Sequence, residues 1–213
     1  MPNSRFPDRN PLPAAVLFDL GGVFIDVRVE DGLSAFRSLR PELGREQIRS
    51  VLLDDGLLGR YERGRIGSRA FHAEAVRRLG APVSFPDFVR CWGAMLAAPD
   101  RRMTGFLRRL DGRALRVALS NTNEIHIRCI GQKYRLLGHF DRRIYSYACG
   151  CAKPEPGIYR KALDAAAAEP AACLFVDDRA ENVRAARRMG IPSVRFTGSG
   201  AFFRFWEERF GRV

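Results

Sequence analysis

The sequence predicts an α/β fold, a doubly wound parallel sheet with a helical insertion after its first strand, and three observations carry that expectation. Apolar runs without polar alternation, the mark of strands buried on both faces, recur in "AVLF", "LRVALS" and "ACLFV". Helical stretches separate them with short links, as strand, helix, strand units in one sheet require. Each run also ends in polar residues: Asp19, then Ser120 with Asn121, then Asp177 with Asp178.

The first strand opens after Pro11 and Pro13 and runs through Val16, Leu17 and Phe18 into Asp19, with Gly21 and Gly22 letting the backbone approach something closely. From residue 28 to 98 the pattern is helical, with amphipathic stretches near 31–40, 45–58, 68–79 and 85–97. Pro41, Gly64 with Gly67, and Pro82 break them, and no strand-like alternation intervenes. Then "MTGFLRRL" gives a helix, "LRVALSNT" a second strand, "IYSY" a third and "GIYRKALDAAAA" a helix. A fourth strand follows in "ACLFVDDR", a helix in "ENVRAARRMG" closing on Gly190, and a fifth strand in "SVRF". Near the end Phe202, Phe203, Phe205, Trp206 and Phe210 fall at helical spacing, which suits a last helix docked on the core or, alternatively, a dimer face.

Composition narrows the function classes. At 213 residues and 46% apolar content the chain can form one sizeable core, or a core with a small inserted domain. It has no apolar run long enough to span a membrane, and its "MPNSRFPDRNPLP" start lacks the apolar stretch of a signal peptide, so a soluble cytoplasmic protein is expected. The five cysteines are scattered, without paired CxxC spacing, and are expected to be reduced thiols. A net charge of +12 raises the question of nucleic acid. The arginines, however, are spread in pairs such as Arg77 with Arg78, Arg108 with Arg109 and Arg187 with Arg188, which fits a general pull on small anions better than a dedicated nucleic-acid surface. Only Lys133, Lys153 and Lys161 among the 36 basic residues are lysines, so each is worth inspecting.

In open parallel sheets the carboxyl ends of the strands line the ligand crevice. That edge would receive Asp19, Ser120, Asn121, Asp177 and Asp178 together. Neighbouring carboxylates at buried strand ends repel one another unless a cation neutralises them. A hard divalent cation such as Mg²⁺, bound by carboxylates and by phosphate oxygens of a substrate, meets that need.

In this order, Asp19 in "FDLGGV", Ser120 and Asn121 in "LSNTN", Lys153 in "AKPEPGIY", and Asp177 with Asp178 in "VDDRAEN" resemble the four motifs of the haloacid dehalogenase (HAD) superfamily of phosphohydrolases. The resemblance implies a Rossmann-like core over residues 1–27 and 99–213 and a helical cap of C1 type over 28–98. "DLGGV" and the cap phrase "YERGRIGSRAF" are most similar to bacterial phosphatases of glucose 1-phosphate and to the amino-terminal phosphatase domain of epoxide hydrolases. It also implies roles. Asp19 would attack phosphorus and form an aspartyl-phosphate. Asp19, Asp178, Asp177 and the Gly21 carbonyl would hold Mg²⁺, while Ser120, the Asn121 backbone and Lys153 would bind the phosphoryl oxygens. Asn182 would orient Asp178. The implied partner is a small-molecule phosphate ester, with no dedicated nucleic acid and no membrane, acted on by a monomer or homodimer.

One position departs from the family pattern. Most phosphatases of the superfamily carry a second aspartate two residues after the nucleophile, as general acid and base, and position 21 here is glycine. The expectation is an easily departing leaving group, as in a sugar 1-phosphate, or a replacement acid such as Asp26 or a cap residue. Some superfamily dehalogenases also lack that aspartate, so a 2-haloacid dehalogenase and a non-catalytic phosphate-binding module are the alternatives. In the cap, Asp54, Asp55, Arg60, Tyr61 and Arg63 are the residues expected to reach over the site.

Overall fold

The computed structural model describes residues 10–54 and 56–213. Asp55, singled out above, lies outside them. Five parallel strands form one sheet: β1 (Ala15–Phe18), β2 (Leu115–Ser120), β3 (Arg142–Tyr145), β4 (Cys173–Asp177) and β5 (Ser193–Arg195), in the order β3-β2-β1-β4-β5. The strand order reverses about β1, which pairs with β2 on one side and β4 on the other. A crevice opens at such a switch point.

Every side chain of β1 is buried because both faces of the sheet are covered. Val16 and Phe18 enter one hydrophobic cluster, and Ala15 and Leu17 enter another. Phe18 meets Phe24, Phe106, Phe140 and Phe202 edge-on, with ring centroids 5.4 to 6.5 Å apart. Phe106 comes from α6 (Arg101–Arg109) and Phe202 from the last helix, which spans Ser199–Phe210. That last helix buries Phe202 and Trp206 against the core, so its aromatic stripe docks inward. On the opposite face, Ile158, Tyr159 and Ala162 of α9 (Pro156–Ala166) and Ala185 and Ala186 of α10 (Ala180–Arg188) pack over β2 and β4.

Between β1 and α6 the chain is helical: α1 (Val29–Leu39), α2 (Arg45–Arg49), α3 (Leu57–Glu62), α4 (Ser68–Leu79) and α5 (Phe85–Gly93). The single helix expected over 45–58 is instead α2, a π turn over Ser50–Asp54, and α3. Gly56 at φ 82° breaks the continuity. Two connecting segments run side by side beneath these helices. Arg28 N–H donates to the Met95 carbonyl at 2.7 Å, Ala97 N–H to Asp26 at 3.1 Å and Asp100 N–H to Phe24 at 2.7 Å. Among the described residues no helix is long and apolar enough to cross a membrane.

Two further elements differ from the sequence expectation. "IYSY" is not wholly strand: β3 ends at Tyr145, and Ser146 begins α8 (Ser146–Cys149). The Ser146 hydroxyl accepts from Thr122 N–H and donates to its carbonyl, diverting the chain. Helix α7 (Glu124–Lys133) was not anticipated; its start is capped by the Asn123 side chain, which accepts from His126 N–H.

The helical insertion is fastened to the core at three points. Tyr61 hydroxyl contacts Ser68 Oγ at 2.7 Å and accepts from Ile125 N–H at 3.1 Å, and Ser68 donates to Glu124. Arg63 pairs with Glu155 at 2.8 Å, ahead of α9. Gly64, at φ 65°, lies so close to the Tyr147 carbonyl that a Cβ would overlap it. Positive φ alone costs a non-glycine residue about 1–3 kcal/mol in such a site. Gly64→Ala is therefore expected to lower thermal stability by at least that amount and to speed proteolysis within residues 28–98, measured by melting and by limited digestion.

Candidate active site

Parallel register builds the site. Phe18 is paired with Val176, so the next residues along, Asp19 and Asp177, stand abreast; Asp19 N–H continues the ladder to the Val176 carbonyl at 2.9 Å. The same face of the sheet therefore receives two carboxylates, with a third, Asp178, beside them. Carboxylate oxygens of Asp19, Asp177 and Asp178 all lie within 4.8 Å of one another.

Lys153 stands between them with its side chain fully buried. Its ammonium is 2.7 Å from Asp177 Oδ2, 3.0 Å from Asp19 Oδ1 and 2.9 Å from the Leu119 carbonyl. The side-chain amide of Asn121 fixes the lysine backbone from both sides, its Oδ1 accepting from Lys153 N–H and its Nδ2 donating to the Lys153 carbonyl, each at 2.8 Å. The amide is thus committed to positioning, and the Ser120 hydroxyl makes only a long 3.5 Å contact to the Asn121 carbonyl.

Asp177 is the most heavily bonded member. Besides Lys153, it accepts from Arg179 N–H at 2.9 Å and from Asn182 Nδ2 at 3.0 and 3.1 Å. Asn182, expected to orient Asp178, orients Asp177 instead, because the first turn of α10 carries its amide over both Asp177 oxygens. Asp178 reaches the first loop through a gap that only glycine leaves: at Gly22, φ 71°, a Cβ would overlap the Asp178 carboxylate.

Three clustered carboxylates and one ammonium leave an excess of negative charge. Burial pushes the Asp19 carboxyl above its ordinary range, with Lys153 opposing and Asp177 adding to the rise. Asp178 is raised as well, by burial first and then by Asp177. A hard oxygen-donor set carrying uncompensated charge fits a divalent cation, and Asp19 and Asp178 are the carboxylates with oxygens left to give it.

A cavity of about 170 Å³ lies beside the loops that carry this cluster, lined by Leu20 and Gly21 after Asp19 and by Ser120 and Asn121, though by none of the four clustered groups themselves. Leu20, Gly21, Ser120, Asn121 and Thr122 form its floor, and Leu53, Leu58, Trp92, Met95 and Leu96 form much of its roof, so the wall is mainly apolar. Among the described residues two titratable side chains line it, Glu62 and His126. Burial pushes His126 down to about 4, which leaves it neutral, stacked on Trp92 with centroids 5.3 Å apart. Glu62 was not among the expected site residues, although it stands between Tyr61 and Arg63, which were. The other cap candidates do not enter the cavity: Asp54 pairs with Arg49, Arg60 is exposed, and Tyr61 and Arg63 fasten the insertion to the core.

A carboxylate and lysine cluster at the carboxyl edge of a doubly wound sheet, roofed by a helical insertion, is a polar site of the kind that α/β enzymes build at a switch point. The haloacid dehalogenase-like hydrolase pattern matches residues 13–190, and the chain belongs to that family. It is 28% identical to a sesquiterpene phosphatase of Aspergillus oryzae, over 87% of this chain and 90% of the relative. It is 22% identical to a D-ribitol-5-phosphate phosphatase of Bacteroides thetaiotaomicron, over 83% of this chain and 88% of that one. A HAD family enzyme of B. thetaiotaomicron, solved in complex with magnesium and inorganic phosphate, superposes with a TM-score of 0.80 at 26% identity, covering 89% of this chain and 99% of the other.

Removing one partner from a buried ion cluster typically costs about 3–5 kcal/mol, because the remaining charges are left unpaired. Lys153→Met should therefore lower the melting temperature in metal-free buffer, and added divalent cation should recover part of the loss. A melt unchanged by the substitution would show that the ammonium does not stabilise the cluster.

Proposed function

We propose that this protein is a Mg²⁺-dependent phosphohydrolase that removes phosphate from a small phosphomonoester with an apolar body, through an aspartyl-phosphate formed on Asp19. The observation that carries the proposal is the three-carboxylate cluster with its buried lysine, next to loops that line a mainly apolar cavity. Asp19 attacks phosphorus. Lys153, the Ser120 hydroxyl and the Asn121 backbone N–H bind phosphoryl oxygens, where negative charge concentrates during transfer. Asp19, Asp178 and the Gly21 carbonyl hold the cation, which supplies positive charge beside the phosphoryl group when bound. Asp177, with both oxygens bonded, keeps Lys153 in register and stands beside the cation rather than spending its oxygens on it.

The Mg²⁺ and phosphate of the B. thetaiotaomicron structure support the metal and the substrate class, and the sesquiterpene phosphatase supports the apolar body. A second reading, a sugar 1-phosphate, is favoured by the likeness of "DLGGV" and "YERGRIGSRAF" to sugar-phosphate phosphatases and by the ribitol-phosphate relative. Few cavity groups can hydrogen-bond a polyhydroxylated body, and buried hydroxyls without partners are costly. In this proposal residues 28–98 are the cap and 1–27 with 99–213 the core, in a cytoplasmic monomer or homodimer.

A metal-supplemented screen of alkyl, prenyl, aryl and sugar phosphates, with 2-haloacids included, tests the proposal. We expect kcat/KM for apolar esters to exceed that for sugar 1-phosphates by tenfold or more. The reverse order returns the sugar reading, metal-free turnover of a 2-haloacid returns the dehalogenase, and no turnover of any compound returns the binding module. Asp19→Asn should fold normally and lose all hydrolysis, because an amide cannot form the phosphoenzyme. Retention of wild-type activity in that variant removes the nucleophile assignment. Chelation should abolish turnover and Mg²⁺ restore it, with Asp178→Ala behaving like the chelated protein.

A further inference from the structure

An ester oxygen leaving as an alkoxide needs a proton, and the more basic the alcohol the more the rate depends on the donor. Three positions could hold that donor. Gly21 has no side chain, although a Cβ there would meet only Val27 Cγ2, at 3.4 Å, so the backbone does not forbid one. Asp26 turns away: its side chain is 69% exposed and paired with Arg28, and it does not line the cavity. Glu62, at the end of α3, lines the cavity together with Gly21, Ser120 and Asn121, and among the described residues it is the one carboxyl group that does. Among the described residues its side chain forms no ion pair and no hydrogen bond, to the clustered carboxylates or to any other group.

We propose that Glu62, carried by the helical insertion, is the general acid and base of the reaction, in place of the side chain that Gly21 lacks. The inference rests on the phosphohydrolase reading above. As the bond from phosphorus to the ester oxygen breaks and the Asp19 oxygen bonds to phosphorus, the Glu62 carboxyl gives its proton to the departing oxygen and becomes a carboxylate. It then takes a proton from the water that attacks the aspartyl-phosphate. That step releases inorganic phosphate, restores Asp19 and returns Glu62 to its acid form.

The surroundings of Glu62 suit both halves of that cycle. Burial pushes its carboxyl up to about 7, against the pull of Arg63 and Arg179 and with a smaller push from Asp19; His126, the other titratable group of the cavity, is neutral. A group titrating near the working pH can both donate and accept. With the acid form required first, turnover of basic leaving groups should fall as pH rises through about 7.

The test uses Mg²⁺-loaded protein and two esters of the same apolar body, an aryl phosphate with an acidic leaving group and an alkyl phosphate with a basic one. Glu62→Gln is expected to slow single-turnover loss of the alkyl ester by about a hundred- to ten-thousandfold and of the aryl ester by less than tenfold. Gly21→Asp added to Glu62→Gln should recover part of the alkyl rate. Equal loss on both esters, or loss on neither, overturns the assignment of Glu62 while leaving the phosphohydrolase reading intact. No wild-type turnover of either ester overturns both. If Glu62→Gln does not fold, wild-type pH profiles of single-turnover ester loss, which precede the shared hydrolysis of the aspartyl-phosphate, decide: a rate that falls above about pH 7 with the alkyl ester and does not with the aryl ester supports Glu62, and identical profiles refute it.

Discussion

The buried contact of Lys153 with Asp19 and Asp177 is the constraint on which the rest of the site depends. Parallel register forces the two carboxylates abreast at the switch point of the sheet, and their repulsion at a buried edge would otherwise raise the energy of the folded state. A lysine answers this as a compact point charge on a long apolar stem, whose ammonium also passes 5.6 Å from the Phe175 ring. The contact in turn demands its supports. Asn121 holds the lysine backbone, Asn182 and Arg179 N–H hold Asp177, and Gly22 admits Asp178. Asp19, Asn121, Lys153, Asp177 and Asn182 are thus one connected unit, in which the effect of any one substitution depends on the others.

Local charge and local apolarity divide the crevice between them. The carboxylate cluster beside the floor concentrates charge, and the roof built from Leu53, Leu58, Trp92, Met95 and Leu96 presents an apolar wall opposite it. Electrostatic interactions strengthen when water is excluded, so in the proposed reaction an apolar roof over a bound ester would favour the hold on its charged group as well as on its leaving group. The roof depends on fastening by Tyr61, Arg63 and Gly64, three consecutive or nearly consecutive residues that touch different core elements.

Much of the architecture was legible in the sequence because it follows from local pattern. Strands buried on both faces have no alternation to lose, and "AVLF", "LRVALS" and "CLFVD" stand out as apolar runs ending in polar residues. Asp19, Ser120, Asn121, Asp177 and Asp178 could be named because strand ends converge by topology alone, whereas Lys153, which follows no strand, could be named only from the resemblance of its motif and its rarity among arginines. What was not legible depends on side-chain direction in three dimensions. The Asn182 amide serves Asp177 rather than Asp178 because of where the first turn of α10 carries it. The π turn at Ser50–Asp54 and the early end of β3 are set by Gly56 and by the Ser146 to Thr122 bonds, which no periodicity encodes. Glu62 was hidden for a similar reason: in "YERG" its neighbours look equally able to face the site, and only the docking of α3 decides that they turn to the core or to solvent while Glu62 faces the cavity.

Moving the proton donor from the first loop to the insertion changes what the cap does. A donor at position 21 would be present whether or not the helices were docked, since that loop follows β1 directly. A donor at Glu62 reaches the leaving oxygen only while α3 lies against the core, held by the Tyr61 and Arg63 contacts on either side of it. In the proposed reaction, protonation and exclusion of water therefore depend on the same docking. The raised affinity of Glu62 for its proton has the same origin, because burial under the docked insertion is its largest cause. Undocking would return the carboxyl to solvent, where it would be ionised at neutral pH and unable to donate. In the proposed reaction the missing side chain at position 21 thus ties chemistry to a docked insertion, and an ester too large to let α3 lie against the core would be bound without being efficiently cleaved.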